Sequence, residues 1–315
     1  MRVVIIGGAG FVGTALCHRL LREYPSVEPI VCDVQRPAIG HVKWAQCDLV
    51  SGDVESVLRE IQPEVVIHLA AQVDPPTLRQ TPLTKELHIG GTQKLVDAVS
   101  RLSVKHFILC SSAVVYGARA ENPVPLTEDS PRRPNEGFPY GEDKAAQEEL
   151  VYGVLSKEMV TCLRPTVIYA PHAKNHLTEI LRYSPGILPA IDGRRPPLQF
   201  VHVQDVAQAF CKALEMKTSG IFNIGPVDHM TYSEVAHQAG LRVLNMPFSA
   251  LKPVVNRLAE VLPARFRAPD YVIEHLSYPF VISSEKAMRE LDYAPQFTTS
   301  QALEAMLQGK KRRKG

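Results

Sequence analysis

The 315-residue chain predicts an α/β fold, a doubly wound parallel sheet followed by a smaller C-terminal α/β substrate lobe. Three observations carry this expectation. Short β-branched runs alternate with amphipathic helical stretches through the first half. A glycine-rich turn stands where the first strand passes into the first helix. After residue 165 prolines thicken (Pro171, Pro185, Pro189, Pro196, Pro197) and the alternation becomes irregular.

In order along the chain, strands are expected at 2–6, 28–32, 41–45, 64–70, 106–110 and 160–165. Helices are expected at 12–23, 53–61, 84–101 and 141–158. Strands joined by helices of this length run parallel, because the crossover brings the chain back to the end from which it left. Beyond residue 165 the pattern gives a strand at 199–203, a helix from about Asp205, a strand at 221–225, and helices near 231–239, 249–261, 284–291 and 300–308. The expected division is a dinucleotide-binding domain over 1–165 with a return around 199–225, a substrate lobe over 166–308, and a basic, disordered tail over 309–315. The apolar stretch 244–263 reads first as a helix packed in the lobe, and secondly as a hydrophobic wall for a non-sugar substrate.

Composition narrows the class. The chain is 45% hydrophobic and 22% charged, as a soluble globular enzyme is. Its net charge is +2, but the segment Lys310–Lys314 carries five cations, which leaves the rest slightly acidic and unlike a nucleic-acid binder. The six cysteines form no CxxC pair and sit mostly in apolar runs, as buried thiols do; neither a disulfide framework nor a metal site is expected. No apolar run is long enough to span a membrane and the chain starts directly on a strand, so the expected location is cytoplasmic.

The segment GGAGFVG (7–13) places Gly7, Gly10, Phe11, Val12 and Gly13 between strand and helix. Glycines there permit a tight turn and close approach of a pyrophosphate to a helix N-terminus. Asp33 ends the second strand, 20 residues after Gly13, where a carboxylate accepts hydrogen bonds from ribose hydroxyls and repels a 2′-phosphate. NAD is therefore favoured over NADP, although Arg36 nearby argues the other way and Asp33 also reads as an ordinary strand-end turn residue. Asp48 and Leu49 follow the third strand, and Leu69, Ala70 and Ala71 follow the fourth, at the sheet edge where such folds bind ligands.

Tyr140 and Lys144 are spaced i, i+4 and share a helix face. A phenol is a poor base at neutral pH. A lysine ammonium and a positive nicotinamide ring beside it favour the phenolate, so that Tyr140 can take or return the proton of a substrate alcohol.

These segments, with CSSAVVYG (110–117), LRPTVIYAP (163–171) and FVHVQDVA (200–207), resemble in order and spacing the extended short-chain dehydrogenases/reductases of the NAD-dependent epimerase/dehydratase group, UDP-glucose 4-epimerase among them. The likeness covers roughly residues 1–225 well and the remainder loosely. It implies a Rossmann fold, NAD as cofactor, the same roles for Tyr140 and Lys144, and a hydroxyl at Ser112 bonded to the reacting oxygen. A small-molecule substrate, nucleotide sugars included, and a second copy of the chain in a homodimer are the partners expected. In sugar-nucleotide dehydratases the two positions after that hydroxyl carry Asp and Glu; here they are Ala113 and Val114. The resemblance thus implies hydride chemistry without elimination of water. An epimerase of a nucleotide-activated sugar and a dehydrogenase or ketoreductase on a non-nucleotide substrate both fit this pattern.

Two positions depart from the family pattern. His88 in HIGGT replaces the usual Asn, with no role assigned to it, and Leu198-Gln199 replaces an Arg-Asp pair whose Arg contacts a nucleotide diphosphate. Arg194 and Arg195 are candidates to replace that clamp.

Overall fold

The computed structural model describes residues 1–72, 81–171, 177, 178, 181, 184, 186–249 and 270–311. Seven parallel strands form the central sheet: β1 (Arg2–Ile6), β2 (Glu28–Asp33), β3 (Lys43–Gln46), β4 (Val65–His68), β5 (His106–Cys110), β6 (Val160–Pro165) and β10 (Gly220–Ile224), in the order β10-β6-β5-β4-β1-β2-β3. The crossovers include α1 (Phe11–Glu23), α2 (Val54–Ile61), α3 (Pro82–Lys85), α4 (Gly91–Arg101) and α5 (Pro139–Val154). The sheet is covered on both faces, which is why β1 reads as an unbroken apolar run. Val3 and Ile5 join a core with Leu16 of α1 and Phe210 of α6 (Val203–Met216); Val4 and Ile6 join the opposite core with Leu58, Val96 and Val151.

Beyond β6 the chain forms two small parallel pairs, β7 (Val167–Tyr169) with β9 (Phe200–His202), and β8 (Ile187–Ile191) with β11 (Arg242–Met246). Helices α7 (Tyr232–Gln238), α8 (Asp270–Ser277), α9 (Glu285–Glu290) and α10 (Thr299–Lys311) complete the described residues. A separate core unites Tyr169, Leu188, Phe200, Tyr232, Leu276 and Leu303, with the Tyr169 and Phe200 rings stacked 4.4 Å apart.

The expected strand at 199–203 pairs with β7 and not with the central sheet; β10 is the strand that returns to it. Strands β7, β8 and β11 were hidden in the sequence because they are short and lie in proline-rich or polar surroundings. The helix expected near 249–261 lies, from residue 250, outside the described residues, and of the apolar stretch 244–263 only the start is seen, in β11. The tail expected to be disordered from residue 309 is instead helical through Lys311. A single glycine, Gly309, costs a helix only about 1 kcal/mol and does not stop it. Residues 312–315 lie outside the described residues.

Among the described residues all six cysteines are free thiols, no helix is long and apolar enough to cross a membrane, and no cluster of three metal-ligating side chains occurs.

Candidate active site

The chain winds from β1 outward through β2 and β3, then crosses back to β4 and on to β5, β6 and β10. The crevice at the carboxyl ends of β1 and β4 is the place where such a sheet takes a ligand. A cavity of about 980 Å³ opens there.

Its floor is the loop between β1 and α1. Gly7 has φ +77°, and a Cβ on it would stand 2.6 Å from the backbone of Ala70, at the end of β4. A Cβ on Gly13 would stand 2.5 Å from Gly8. The turn therefore needs glycine at Gly7 for conformation as well as space. Gly7 N–H donates to the Cys32 carbonyl, which fixes the loop to β2. The first turn of α1 has neither a side-chain cap nor an acidic residue, so Phe11, Val12 and Gly13 present their backbone N–H groups to an anion. Gly10, Leu49, Leu69, Ala70 and Ala71 line the same cavity.

Asp33 and Asp48 also line it. One oxygen of Asp33 accepts from Ala9 N–H at 3.0 Å and the other from Gln35 N–H at 3.0 Å. Asp33 thus latches the glycine turn, and each oxygen keeps a second lone pair for a ribose hydroxyl. Arg36, the residue that argued for a 2′-phosphate, is exposed and outside the cavity lining. Asp48 accepts from the Ser51 hydroxyl at 2.5 Å and Val50 N–H at 2.8 Å; these bonds hold its carboxyl below the ordinary range.

The opposite wall carries the candidate acid/base groups. Residues 113–116 make a short 3₁₀ turn after β5, capped by the Ser112 hydroxyl, which accepts from Val114 N–H at 3.3 Å. Pro139 occupies the first position of α5, where its fixed φ suits a helix start, and so sets Tyr140 in the first turn and Lys144 one turn on. Tyr140 and Ser112 line the same cavity wall. The Lys144 ammonium donates to the Cys110 carbonyl at 2.7 Å and lies 5.8 Å from the centre of the Tyr140 ring. The neighbouring serine points elsewhere: Ser111 donates to Glu148, which also takes two hydrogen bonds from the buried Arg164 guanidinium.

One expectation changes in form. Burial pushes the Tyr140 phenol above its usual range, with the Ser112 hydroxyl acting the other way; burial also pulls the Lys144 amine down. The chain alone keeps Tyr140 protonated at neutral pH, and a phenolate needs a further positive charge at its side.

The position of His88 was visible in the sequence only as a departure. It is buried between Asp143 and the backbone of Gln72. Gln199 is no clamp: its amide donates to the Pro226 and Ile282 carbonyls and accepts from Ile282 N–H. Arg194 lies over the Tyr278 ring at 5.0 Å and Arg195 donates to Asn245; neither lines the cavity. The wall beyond Tyr140 is mostly apolar, with Val114, Phe138, Val167, Leu276 and Phe280, and includes the His275 ring edge-on to Phe138 and Phe280. Sequence patterning missed Phe138, Leu276 and Phe280 because Phe138 precedes α5 while Leu276 and Phe280 come from the end of α8 and just after it, some 140 residues on.

Residues 3–225 match the NAD dependent epimerase/dehydratase family. The chain belongs to that family. It is 28% identical to an uncharacterized protein of Mycobacterium tuberculosis, over 98% of this chain and 84% of that one. It is 28% identical to the UDP-glucose 4-epimerase of Streptococcus mutans, over 94% and 92% of the two chains. The solved UDP-glucose 4-epimerase of Thermus thermophilus, in complex with NAD, covers 99% of this chain and 99% of its own at a TM-score of 0.73 and 24% identity, a likeness of fold.

NAD is the family's cofactor, and the cavity fits it: the glycine cradle at Ala70, the uncapped α1 terminus and the Asp33 lone pairs match a pyrophosphate and a ribose diol. Calorimetry should give a dissociation constant for NAD at least about tenfold below that for NADP, because a 2′-phosphate would meet the Asp33 carboxylate. The reverse order would assign the pocket to Arg36.

Proposed function

We propose that this protein is an NAD-dependent epimerase of a nucleotide-activated sugar, working through a transient keto intermediate and not by eliminating water. The observation that carries this reading is the wall around Tyr140. Ser112, Tyr140 and Lys144 face one cavity, while the two positions after Ser112 are Ala113, fully buried, and Val114, which lines the cavity. Neither can protonate a leaving hydroxyl or abstract an α-proton.

Held by the glycine turn and Asp33, NAD would supply the acceptor and donor of the substrate hydride. Tyr140 takes the hydroxyl proton as the carbonyl forms and gives it back on reduction. Ser112 donates to the reacting oxygen and stabilises its developing charge. Lys144 holds a positive charge beside the ring, lowering the cost of the phenolate. The lobe of 166–308 shapes the substrate side, and residues 1–165 with α6 and β10 form the cofactor side.

With dTDP-glucose, products should be isomers of the substrate. Mass spectrometry that finds a product lighter by one water would mean that elimination proceeds without carboxylates at 113 and 114. Lys144→Met should shift the alkaline optimum of turnover upward, since the phenol loses its cationic neighbour and its pKa rises. A pH–rate profile unchanged in that variant would remove Lys144 from the acid/base machinery.

A second reading has its own observation. The apolar wall and the diversion of Gln199, Arg194 and Arg195 favour a dehydrogenase or ketoreductase on a non-nucleotide hydroxyl or keto compound. NAD that stays bound through purification supports the epimerase; NAD that exchanges freely supports the dehydrogenase.

A further inference from the structure

Both ring nitrogens of His88 are engaged by segments that build the cofactor cavity. Nδ1 lies 2.8 Å from Oδ2 of Asp143, and the backbone N–H of Gln72 donates to Nε2 at 3.0 Å. A backbone N–H is only ever a donor, so Nε2 carries no proton. The imidazole is then neutral, with its one proton on Nδ1 donated to Asp143. His88 and Asp143 are both buried, and the His88 ring stands edge-on to Tyr140 with centroids 6.2 Å apart. His88 itself belongs to a π-helical turn, Glu86–Gly90, between α3 and α4. Its carbonyl accepts from Gln147 of α5 at 2.8 Å. One side chain thus joins this turn, the helix bearing Tyr140 and Lys144, and the loop after β4 whose residues Leu69 to Gln72 line the cavity.

We propose that His88 is a positioning residue whose neutral form latches the loop at Gln72 to helix α5, and whose protonation opens that latch and weakens NAD binding as pH falls. The event is a proton transfer from solvent to Nε2, with no other bond made or broken. It turns the acceptor into a donor and sets two N–H groups against each other, while Asp143 retains the charged ring. The loop is the contact that is lost.

The surrounding groups do not mimic it. His68 on β4 is pushed down to about 3, chiefly by burial and then by the Lys144 charge, and stays neutral. Burial pushes the Tyr140 phenol and the Cys110 thiol upward, so both stay protonated through the acid range. Lys144 loses its proton as pH rises, which gives a limb on the opposite side. Glu86 in the same turn is exposed and pairs with Lys94. Asp143 is the carboxylate bonded to the ring.

The test is calorimetric titration of the full chain with NAD between about pH 8 and about pH 5.5. Wild type should lose affinity about tenfold over this range, the effect of one hydrogen bond replaced by a donor–donor contact. His88→Leu should bind more weakly at the alkaline end and show no pH slope. His88→Asn supplies an amide donor and a carbonyl acceptor that do not titrate; it should recover affinity relative to His88→Leu and also show no slope. Long-range ¹⁵N–¹H spectra of the full chain should show His88 as the Nδ1–H tautomer at the alkaline end. A slope that persists in His88→Asn, a wild type without a slope, or an Nε2–H tautomer would each overturn the proposal. The binding and tautomer readouts involve no turnover, so their failure would leave the roles given to Tyr140 and Lys144 intact. Should His88→Leu not fold, His88→Asn and the spectra still decide.

Discussion

Tyr140→Phe is expected to abolish most turnover, by at least the ~10²–10⁴-fold that a positioned proton donor and acceptor contributes. The substitution keeps the ring and removes one oxygen. The ring's edge contact with His88 and its tilted contact with Phe138 persist, so the fold of the site and the affinity for NAD should be nearly unchanged. The loss should be larger than for Ser112→Ala, because Ser112 stabilises charge on the reacting oxygen and does not carry the proton. Steady-state rates with parallel NAD titrations check this. Equal losses in rate and in NAD affinity would mean that the substitution has disturbed the pocket, and full activity would remove Tyr140 from the chemistry.

The second large effect concerns the buried pair beneath the site. Arg164 on β6 makes two hydrogen bonds to Glu148 on α5, at 2.8 and 2.6 Å, and a third to the Tyr116 hydroxyl at 2.7 Å. Tyr116 donates onward to Asn223 of β10. Glu148 stands four residues after Lys144, and Ser111, which also donates to it, adjoins Ser112. The network therefore braces the same helix and turn that carry Tyr140 and Ser112. Arg164→Leu leaves the buried Glu148 carboxylate without its closest counter-charge, with only the partly exposed Arg132 still 3.3 Å away, and should cost about 3–5 kcal/mol, a large share of the roughly 5–15 kcal/mol that stabilises a domain. Denaturant unfolding should show the loss, and Arg164→Met combined with Glu148→Leu should recover much of it. No recovery in the double variant would mean that the pair's geometry, and not the stranded charge, is what the fold requires.

The same pair sets a pH dependence. Burial alone would raise the Glu148 carboxyl, but the Arg164 guanidinium and the Ser111 hydroxyl outweigh it and hold it below the ordinary range. A carboxyl depressed in the folded state contributes stability above its unfolded pKa of about 4.3 and loses that contribution as pH falls toward the folded value. Unfolding free energy should fall on acidification in the wild type, and less so in the double variant.

Much of this was legible in the sequence, for particular physical reasons. Strands buried on both faces read as short, mostly apolar runs broken only by single polar residues, so β1, β5 and β6 could be bounded to the residue. The glycine turn was legible because backbone approach leaves only one residue type, and Tyr140 with Lys144 because a helix repeats its face every four residues. The lobe resisted for the opposite reason: β7 and β9 have three residues each, and β8 contains Pro189 and pairs on one side only. His88 was legible as an unusual residue but not as a contact, since its partners lie 16 and 55 positions away. The division between Ser111 and Ser112 depended on the pitch of a 3₁₀ turn that no spacing rule reveals.

The central claim is hydride transfer at a hydroxyl carbon with the carbon skeleton and its oxygens retained. The most direct measurement mixes the NAD-loaded protein with UDP-glucose and resolves the products by chromatography and mass. The account predicts conversion to an epimer of identical mass, absent in Tyr140→Phe; a keto product lighter by one water would contradict it.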